Sequence, residues 1–179
     1  YLVQWYLYRI AVNESEGKGW ESPQIFHSQA MVTTADETFK AERFARGGVG
    51  LVGMRKTPYQ LAIDDWSWRS FTRFPMPGRL DIESDHFEVD LNVQQYGQYI
   101  LLGEDGYQVT HDLLSRSIYG YTAPFIKTEG ELRINGKKIK VAGQAWLNQL
   151  WGTDLIGKEQ KGFALFIYRF DDGRVLSVL

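Results

Sequence analysis

The chain has 179 residues, a formal net charge of −2 and no cysteine, and 15% of its residues are aromatic. This length suits one domain, the near-neutral charge gives no electrostatic case for nucleic-acid binding, and without cysteine there are no disulfides or thiolate metal sites. No apolar run approaches the roughly 20 residues that cross a bilayer, so we expect no transmembrane segment.

The first half of the chain is predicted to consist mainly of strands. Strands over 2–12 and 24–34 are expected to pair as a hairpin. Residues 35–48 are charged and end in glycines, so we predict a loop there with at most one or two helical turns. Residues 59–71 predict one further strand, which ends before the proline-rich segment 74–78 because proline cannot donate to a strand ladder.

The second half contains the strongest strand and turn signals. Apolar and polar residues alternate over 87–93, which predicts a strand with one buried face. The pair Asn135-Gly136 predicts a type I′ hairpin, and residues 171–173 predict another between 163–170 and 174–179. Strands and turns along the whole chain predict an all-β fold, either an antiparallel barrel or a strongly bent sandwich.

Few titratable residues have the spacing of a catalytic or metal site. His27, His86 and His111 lack a partner at metal-ligand spacing, so we expect no metal. Asp65 follows Asp64 directly; it either makes turn contacts or acts as a general acid, a role that requires a buried carboxyl group. No phosphate loop, dinucleotide fingerprint or nucleophile elbow is present, so we expect no cofactor.

Tryptophans are concentrated in two segments. Trp66 and Trp68 share one face of the strand predicted over 59–71, and Trp146 and Trp151 flank residues 147–150, which include two amides. Aromatic rings beside amides can bind a sugar or line an apolar pocket with a few polar anchors. They can equally form the core of a β fold, and the sequence leaves both interpretations open.

The segment 143–152, GQAWLNQLWG, resembles the G-x-A-W-L-D-x-E-W-like motif of the AttH-like family, which includes the carotenoid 1,2-hydratases (hydroxyneurosporene synthases). Segments 4–9, 20–26, 65–67 and 102–107 are similar to further family segments and occur in the family's order. The resemblance extends over most of the chain, and its motifs are more specific in combination than singly.

The resemblance implies a calycin or lipocalin-like fold with two β halves. Both ends of this chain look truncated, so we expect it to be the N-terminal half of a longer protein, with a second β domain as its partner. One family member is associated with an ABC transport system. The resemblance therefore also implies a link to such a system and a periplasmic or envelope location.

The chain departs from the family where acid–base chemistry would be expected. Asn148 and Leu150 stand where acidic residues are usual in the family. Gln149 stands where the hydratases have a histidine, and Gln29 stands where the family tends to have one. A hydratase has to protonate an alkene and then deliver water. Amide side chains supply no proton at neutral pH, so these positions do not carry the family's catalysis into this chain.

Three functions remain open. The first is binding of an apolar small molecule or lipid-like ligand. Its predicted ligand-binding residues are Gln29, Trp66, Tyr119, Tyr121, Trp146, Asn148, Gln149 and Trp151. The second is a hydratase or isomerase that acts on a polyunsaturated or terpenoid substrate, with Asp65 as the catalytic acid. The third is a structural role, in which this domain packs against the second β domain.

Overall fold

A computed structural model describes residues 1–111, 116–152, 161–162 and 164–178. Apart from one 3-10 turn at Gly19–Glu21, the regular elements among these residues are all β-strands, so the predicted all-β class is confirmed. No helix in these ranges has the length and apolar character needed to span a bilayer.

The chain divides into two compact units, and most strands belong to one or the other. Unit 1 comprises Tyr1–Gln94 and Lys127–Gly143, and unit 2 comprises Gln95–Ile126 and Gln144–Leu179. The strands of the first half are β1 (Leu2–Ala11), β2 (Gln24–Thr33), β3 (Thr38–Arg46), β4 (Val52–Lys56), β5 (Tyr59–Ile63), β6 (Trp66–Ser70), β7 (Gly78–Glu83) and β8 (Phe87–Gln95). The later strands are β9 (Ile100–Leu101), β10 (Tyr107–His111), β11 (Arg116–Ile134), β12 (Lys137–Trp151), β13 (Phe166–Arg169) and β14 (Val175–Val178).

Unit 1 is built from two antiparallel arrangements of strands. Strands β1, β2 and β3 form one sheet, and β4 to β8 pair in sequence order, with β11 next to β8. The alternation predicted over 87–93 is confirmed, because Phe87, Val89, Leu91 and Val93 of β8 are all buried while the residues between them are more exposed. A period of two gives each strand one apolar face, and these faces form the core.

Tryptophan side chains fill the interior of unit 1. Trp5 of β1 stacks on Trp68 of β6 with 6.3 Å between the ring centroids, so the first sheet packs against the second. Trp66 is fully buried. The indole N–H groups of Trp5, Trp66 and Trp68 donate to Ser28 Oγ (2.8 Å), the Glu83 carbonyl (2.7 Å) and the Pro75 carbonyl (2.7 Å), respectively. A buried donor without a partner costs about 1–3 kcal/mol, which these bonds avoid.

The prediction for residues 35–48 was wrong over most of the segment. Thr38–Arg46 forms strand β3, which pairs with β2 along its whole length. Its side chains alternate, with Ala45 buried and Phe44 exposed. The four-residue spacing that suggested helical turns is also a multiple of two, and the continuous ladder with β2 stabilises the extended form over weak local helical character.

The prediction of one strand over 59–71 was also wrong, because a hairpin divides that segment. Strand β5 ends at Ile63, β6 begins at Trp66, and these two residues pair directly. Asp64 in the connection has a φ of 55°, a left-handed conformation that aspartate adopts more readily than most residues. Asp64 and Asp65 therefore form a two-residue turn, as the turn interpretation of this pair predicted.

Unit 2 is organised around the first part of β11. Strands β9 and β10 both pair with it, as does β12, and β13 pairs with β14 in a separate hairpin. That hairpin was predicted around residues 171–173 and is confirmed. The hairpin predicted at Asn135-Gly136, which lies in unit 1, is confirmed as well, because both residues have the positive φ values, 49° and 80°, that a type I′ turn requires.

Trp66→Ala is expected to lower the free energy of unfolding by about 3–5 kcal/mol, because it leaves a large cavity in the core of unit 1. The matched control is Trp20→Ala, since Trp20 is 75% exposed and such surface changes usually alter stability by less than about 0.5 kcal/mol. Urea denaturation followed by circular dichroism measures both. Equal destabilisation by the two substitutions would contradict the core assignment of Trp66.

Candidate aromatic site on strands β10 to β12

Three aromatic rings form a row across neighbouring strands of unit 2. Tyr107 of β10 lies directly opposite Tyr119 of β11, and their ring centroids are 5.2 Å apart. Tyr119 in turn stacks on Trp151 of β12, with 6.1 Å between centroids and an interplanar angle of 11°. All three side chains are between 40 and 48% exposed. Cross-strand pairing therefore holds three large rings in fixed positions at the surface of this unit.

A hydrogen-bonded pair lies at one end of the row. Tyr121 follows Tyr119 on the same strand face, and its ring meets Trp151 edge-on at 6.3 Å. The Tyr121 hydroxyl donates to Oε1 of Gln149, at 2.5 Å. Gln149 precedes Trp151 by two residues, so both side chains project from the same face of β12. The structure thus brings together four of the predicted ligand-binding residues, Tyr119, Tyr121, Gln149 and Trp151.

Sequence analysis missed Tyr99, which contacts this cluster. Its ring lies perpendicular to that of Tyr121 with 5.2 Å between the centroids. The Tyr99 hydroxyl is buried without a hydrogen-bond partner, and burial raises the pKa of Tyr99 above its ordinary value. Tyr107 ends the segment 102–107 that resembles a family segment, but nothing in that segment indicates a ligand site, and Tyr99 lies in no such segment. Only their positions in the fold place these two residues at the site.

Trp146 and Asn148 lie on the other face of β12. The Trp146 indole N–H donates to Thr122 Oγ1 and to Asn148 Oδ1, the latter at 3.1 Å. Leu150 shares that face, because a Cβ at Gly120 would lie 2.5 Å from its Cδ2 atom. The residues predicted to line one pocket from this segment are therefore divided between two faces, since successive side chains of a strand point in opposite directions.

The remaining predicted site residues belong to unit 1. Trp66 is fully buried, Arg43 lies over its ring at 4.7 Å from the centroid, and its N–H is bonded to a backbone carbonyl. These contacts favour the core interpretation of Trp66 over ligand binding. Gln29 on β2 donates through Nε2 to Oε1 of Glu42 on β3, at 2.9 Å.

Asp65, the predicted catalytic acid, lies in the exposed turn between β5 and β6. Its side chain is 44% exposed and pairs with the Arg43 guanidinium at 3.2 Å. Such a surface ion pair does not provide the dry surroundings that a general acid requires. Among the described residues, no group of three or more histidine, aspartate or glutamate side chains is arranged to hold a metal ion. The side chain of His111 lies outside the described set.

The fold and the site define a lipocalin-like all-β protein with a row of half-exposed aromatic rings in its second unit. The model of the AttH-like family matches residues 1–179, so the chain belongs to this family. The crystal structure of a putative AttH from Nitrosomonas europaea matches with a TM-score of 0.80 at 20% identity, over 98% of this chain. This chain spans about half of that protein's chain, 53%. A search of curated proteins found no match.

Tyr99→Phe is expected to change how stability depends on pH. Below a pH of about 10 the phenol is neutral in both the folded and the unfolded chain. As the pH rises further the unfolded chain loses its proton first, so the raised pKa of the folded state makes stability fall from about pH 10 upward. Tyr99→Phe should reduce this loss of stability at alkaline pH. At neutral pH it should leave stability unchanged or raise it by up to about 1 kcal/mol, because it removes an unpartnered hydroxyl.

Urea denaturation at neutral and alkaline pH measures both effects for this substitution. The matched control is Tyr168→Phe, which removes a half-exposed phenol from the same unit and leaves the contribution of Tyr99 in place. If stability falls by the same amount at alkaline pH in Tyr99→Phe and in the wild type, the Tyr99 phenol does not contribute to that fall.

Proposed function

We propose that the chain binds an apolar, lipid-like small molecule on the aromatic face of unit 2. The observation that carries the proposal is the row formed by Tyr107, Tyr119 and Trp151, three half-exposed rings aligned by strand pairing. Single exposed aromatic residues are common on protein surfaces, but contiguous apolar patches usually serve an interaction. A flat or extended apolar ligand would cover the row and remove it from water.

The area of this row sets the scale of the apolar contribution to binding. Large aromatic side chains bury about 150–250 Å² each, so the exposed halves of three rings amount to roughly 300 Å². At about 25 cal/mol per Å², covering them contributes roughly 7 kcal/mol. Loss of ligand freedom offsets part of this gain, while the apolar surface that the ligand itself buries adds to it.

The chemistry around the row favours a ligand with little or no charge. Gln149, Tyr121 and Tyr99 offer an amide and two phenols, and none of these groups is charged at neutral pH. The Gln149 amide accepts from Tyr121 through Oε1, so its NH2 group could donate a hydrogen bond to an oxygen atom on the ligand. We therefore expect an apolar body that carries one hydroxyl or carbonyl oxygen.

Binding is a better proposal than hydration or isomerisation. A hydratase needs an acid beside the substrate, whereas the described residues at this site provide only amides and phenols, with Asn148 and Leu150 on the opposite face of β12. Asp65 is held by Arg43 in an exposed turn of unit 1. A carrier of this kind fits the link to an ABC transport system, and the packing against a second β domain, that the family resemblance implies.

Binding can be measured with the neutral apolar dye N-phenyl-1-naphthylamine, whose fluorescence rises in apolar surroundings. Trp151→Ala and Tyr119→Ala are each expected to weaken binding about tenfold, which corresponds to about 1.4 kcal/mol. Trp20→Ala removes an exposed tryptophan from unit 1 and should leave the affinity unchanged.

Two results would contradict the proposal. One is dye binding by the wild type that neither Trp151→Ala nor Tyr119→Ala weakens. The other is the absence of any dye binding when the protein concentration is raised to the millimolar range. A competition series with long-chain alcohols and the matching hydrocarbons then tests the polar anchor, because the alcohols should displace the dye more strongly and Gln149→Leu should reduce that advantage.

A further inference from the structure

A second row of rings crosses the sheet formed by β1, β2 and β3 in unit 1. The strand register places Tyr8, His27 and Phe44 side by side on three consecutive strands. His27 stacks on Phe44 with 4.3 Å between centroids and an interplanar angle of 9°, and Tyr8 stacks on His27 at 6.1 Å and 21°. The three rings are thus nearly parallel, and the ladder fixes their spacing.

Phe44 presents a free aromatic surface at one end of this row. Strand β3 pairs with β2 on one side, and within this sheet it is an edge strand. One face of the Phe44 ring packs on His27, and the side chain is nevertheless 68% exposed. Its other ring face is therefore available for stacking, with no need for the fold to rearrange.

Oriented polar groups occupy the neighbouring row of the same sheet face. There the register places Tyr6, Gln29 and Glu42 side by side. Gln29 Nε2 donates to Glu42 Oε1 at 2.9 Å, which holds the carboxylate in place and leaves its second oxygen able to accept. The Tyr6 hydroxyl accepts a hydrogen bond from Gln4 Nε2, also at 2.9 Å, and keeps its own proton to donate.

His27 adds an unsatisfied polar atom to this face. Its Nε2 atom is buried without a hydrogen-bond partner, and an unmet buried group of this kind costs about 1–3 kcal/mol. The ring that contains this atom stacks on Phe44, so the unpaired nitrogen lies beside the surface on which a ligand would stack.

From this combination we infer that the outer face of the β1–β2–β3 sheet binds a pyranose sugar. A pyranose has an apolar face of C–H groups, which can stack on the open side of Phe44, and a rim of hydroxyl groups. Glu42, two residues along the same face of β3, can accept a bond from a hydroxyl on that rim. The inference goes beyond the proposed function, because it concerns another unit and another ligand class.

The charges on β3 argue against a cationic ligand for the same rings. An ammonium group could bind over an aromatic face and pair with Glu42. However, alternation along β3 places Lys40 on the same face as Glu42 and Phe44, at an exposed position. The Lys40 ammonium group on this face would repel a second cation, whereas it can donate to the oxygen of a neutral sugar.

Saturation-transfer NMR with D-glucose, D-galactose and N-acetyl-D-glucosamine as probes tests the inference on the whole chain. At least one sugar should receive saturation from the wild type, and Phe44→Ala and Glu42→Gln should each weaken its affinity about tenfold. The matched control is Phe71→Ala, which removes a phenylalanine that is 95% exposed elsewhere in unit 1 and should bind like the wild type.

Failure of all three sugars to bind the wild type overturns the inference, as does binding that persists in both Phe44→Ala and Glu42→Gln. Tetramethylammonium is included as a fourth probe. A signal from it alone would overturn the sugar inference and indicate a cationic ligand. Dye binding by unit 2 is measured on the same samples. Retained dye binding shows that unit 2 is folded in the variants, and urea denaturation followed by circular dichroism checks unit 1. Dye binding without sugar binding separates this outcome from failure of the proposed function.

Discussion

The packing of tryptophans between the strands of unit 1 is the constraint on which the arrangement of its sheets depends. Trp5 and Trp68 come from strands far apart in the chain, and their stacking joins the first sheet to the second. Large rings contribute much apolar area to a core, but each indole also brings an N–H group that needs a partner. Here each N–H reaches an oxygen, and two of the acceptors are backbone carbonyls at the ends of strands or turns.

The same mechanism produces both exposed aromatic rows. Strand register places Tyr8, His27 and Phe44 side by side in unit 1, and it places Tyr107 opposite Tyr119 in unit 2. Stacking between neighbouring strands stabilises a sheet by a few tenths to about 1 kcal/mol per pair. These rows therefore support the fold even without a ligand, and the ladder prepares the surface that a ligand would meet.

The segment 143–152, which resembles the AttH-like motif, has amides at two positions where the resemblance implies titratable residues. The resemblance to the hydratases implies a histidine at the position of Gln149, and the amide oxygen of Gln149 accepts a hydrogen bond from the Tyr121 hydroxyl. Asn148 likewise uses its oxygen to accept a bond from Trp146. These two amides thus serve hydrogen bonding within the protein, Gln149 beside the aromatic row and Asn148 on the opposite face of β12.

The sequence by itself determined the all-β class, most strand positions and the hairpin at Asn135-Gly136, because a period of two and turn residues act over short distances. It failed at β3, where pairing with β2 outweighed weak helical spacing, and at Asp64, whose left-handed conformation divides a run that otherwise has strand composition.

Only the tertiary structure decided which aromatic residues lie together. Tyr119, Tyr121, Gln149 and Trp151 were predicted for the site, but Tyr99 and Tyr107 join them through pairings that no local pattern encodes. Trp66 and Trp151 both lie in tryptophan-containing strand segments of the sequence, yet Trp66 is fully buried and Trp151 is half exposed. The physical reason is that burial depends on which strands pack over a residue, and that is a property of the whole fold.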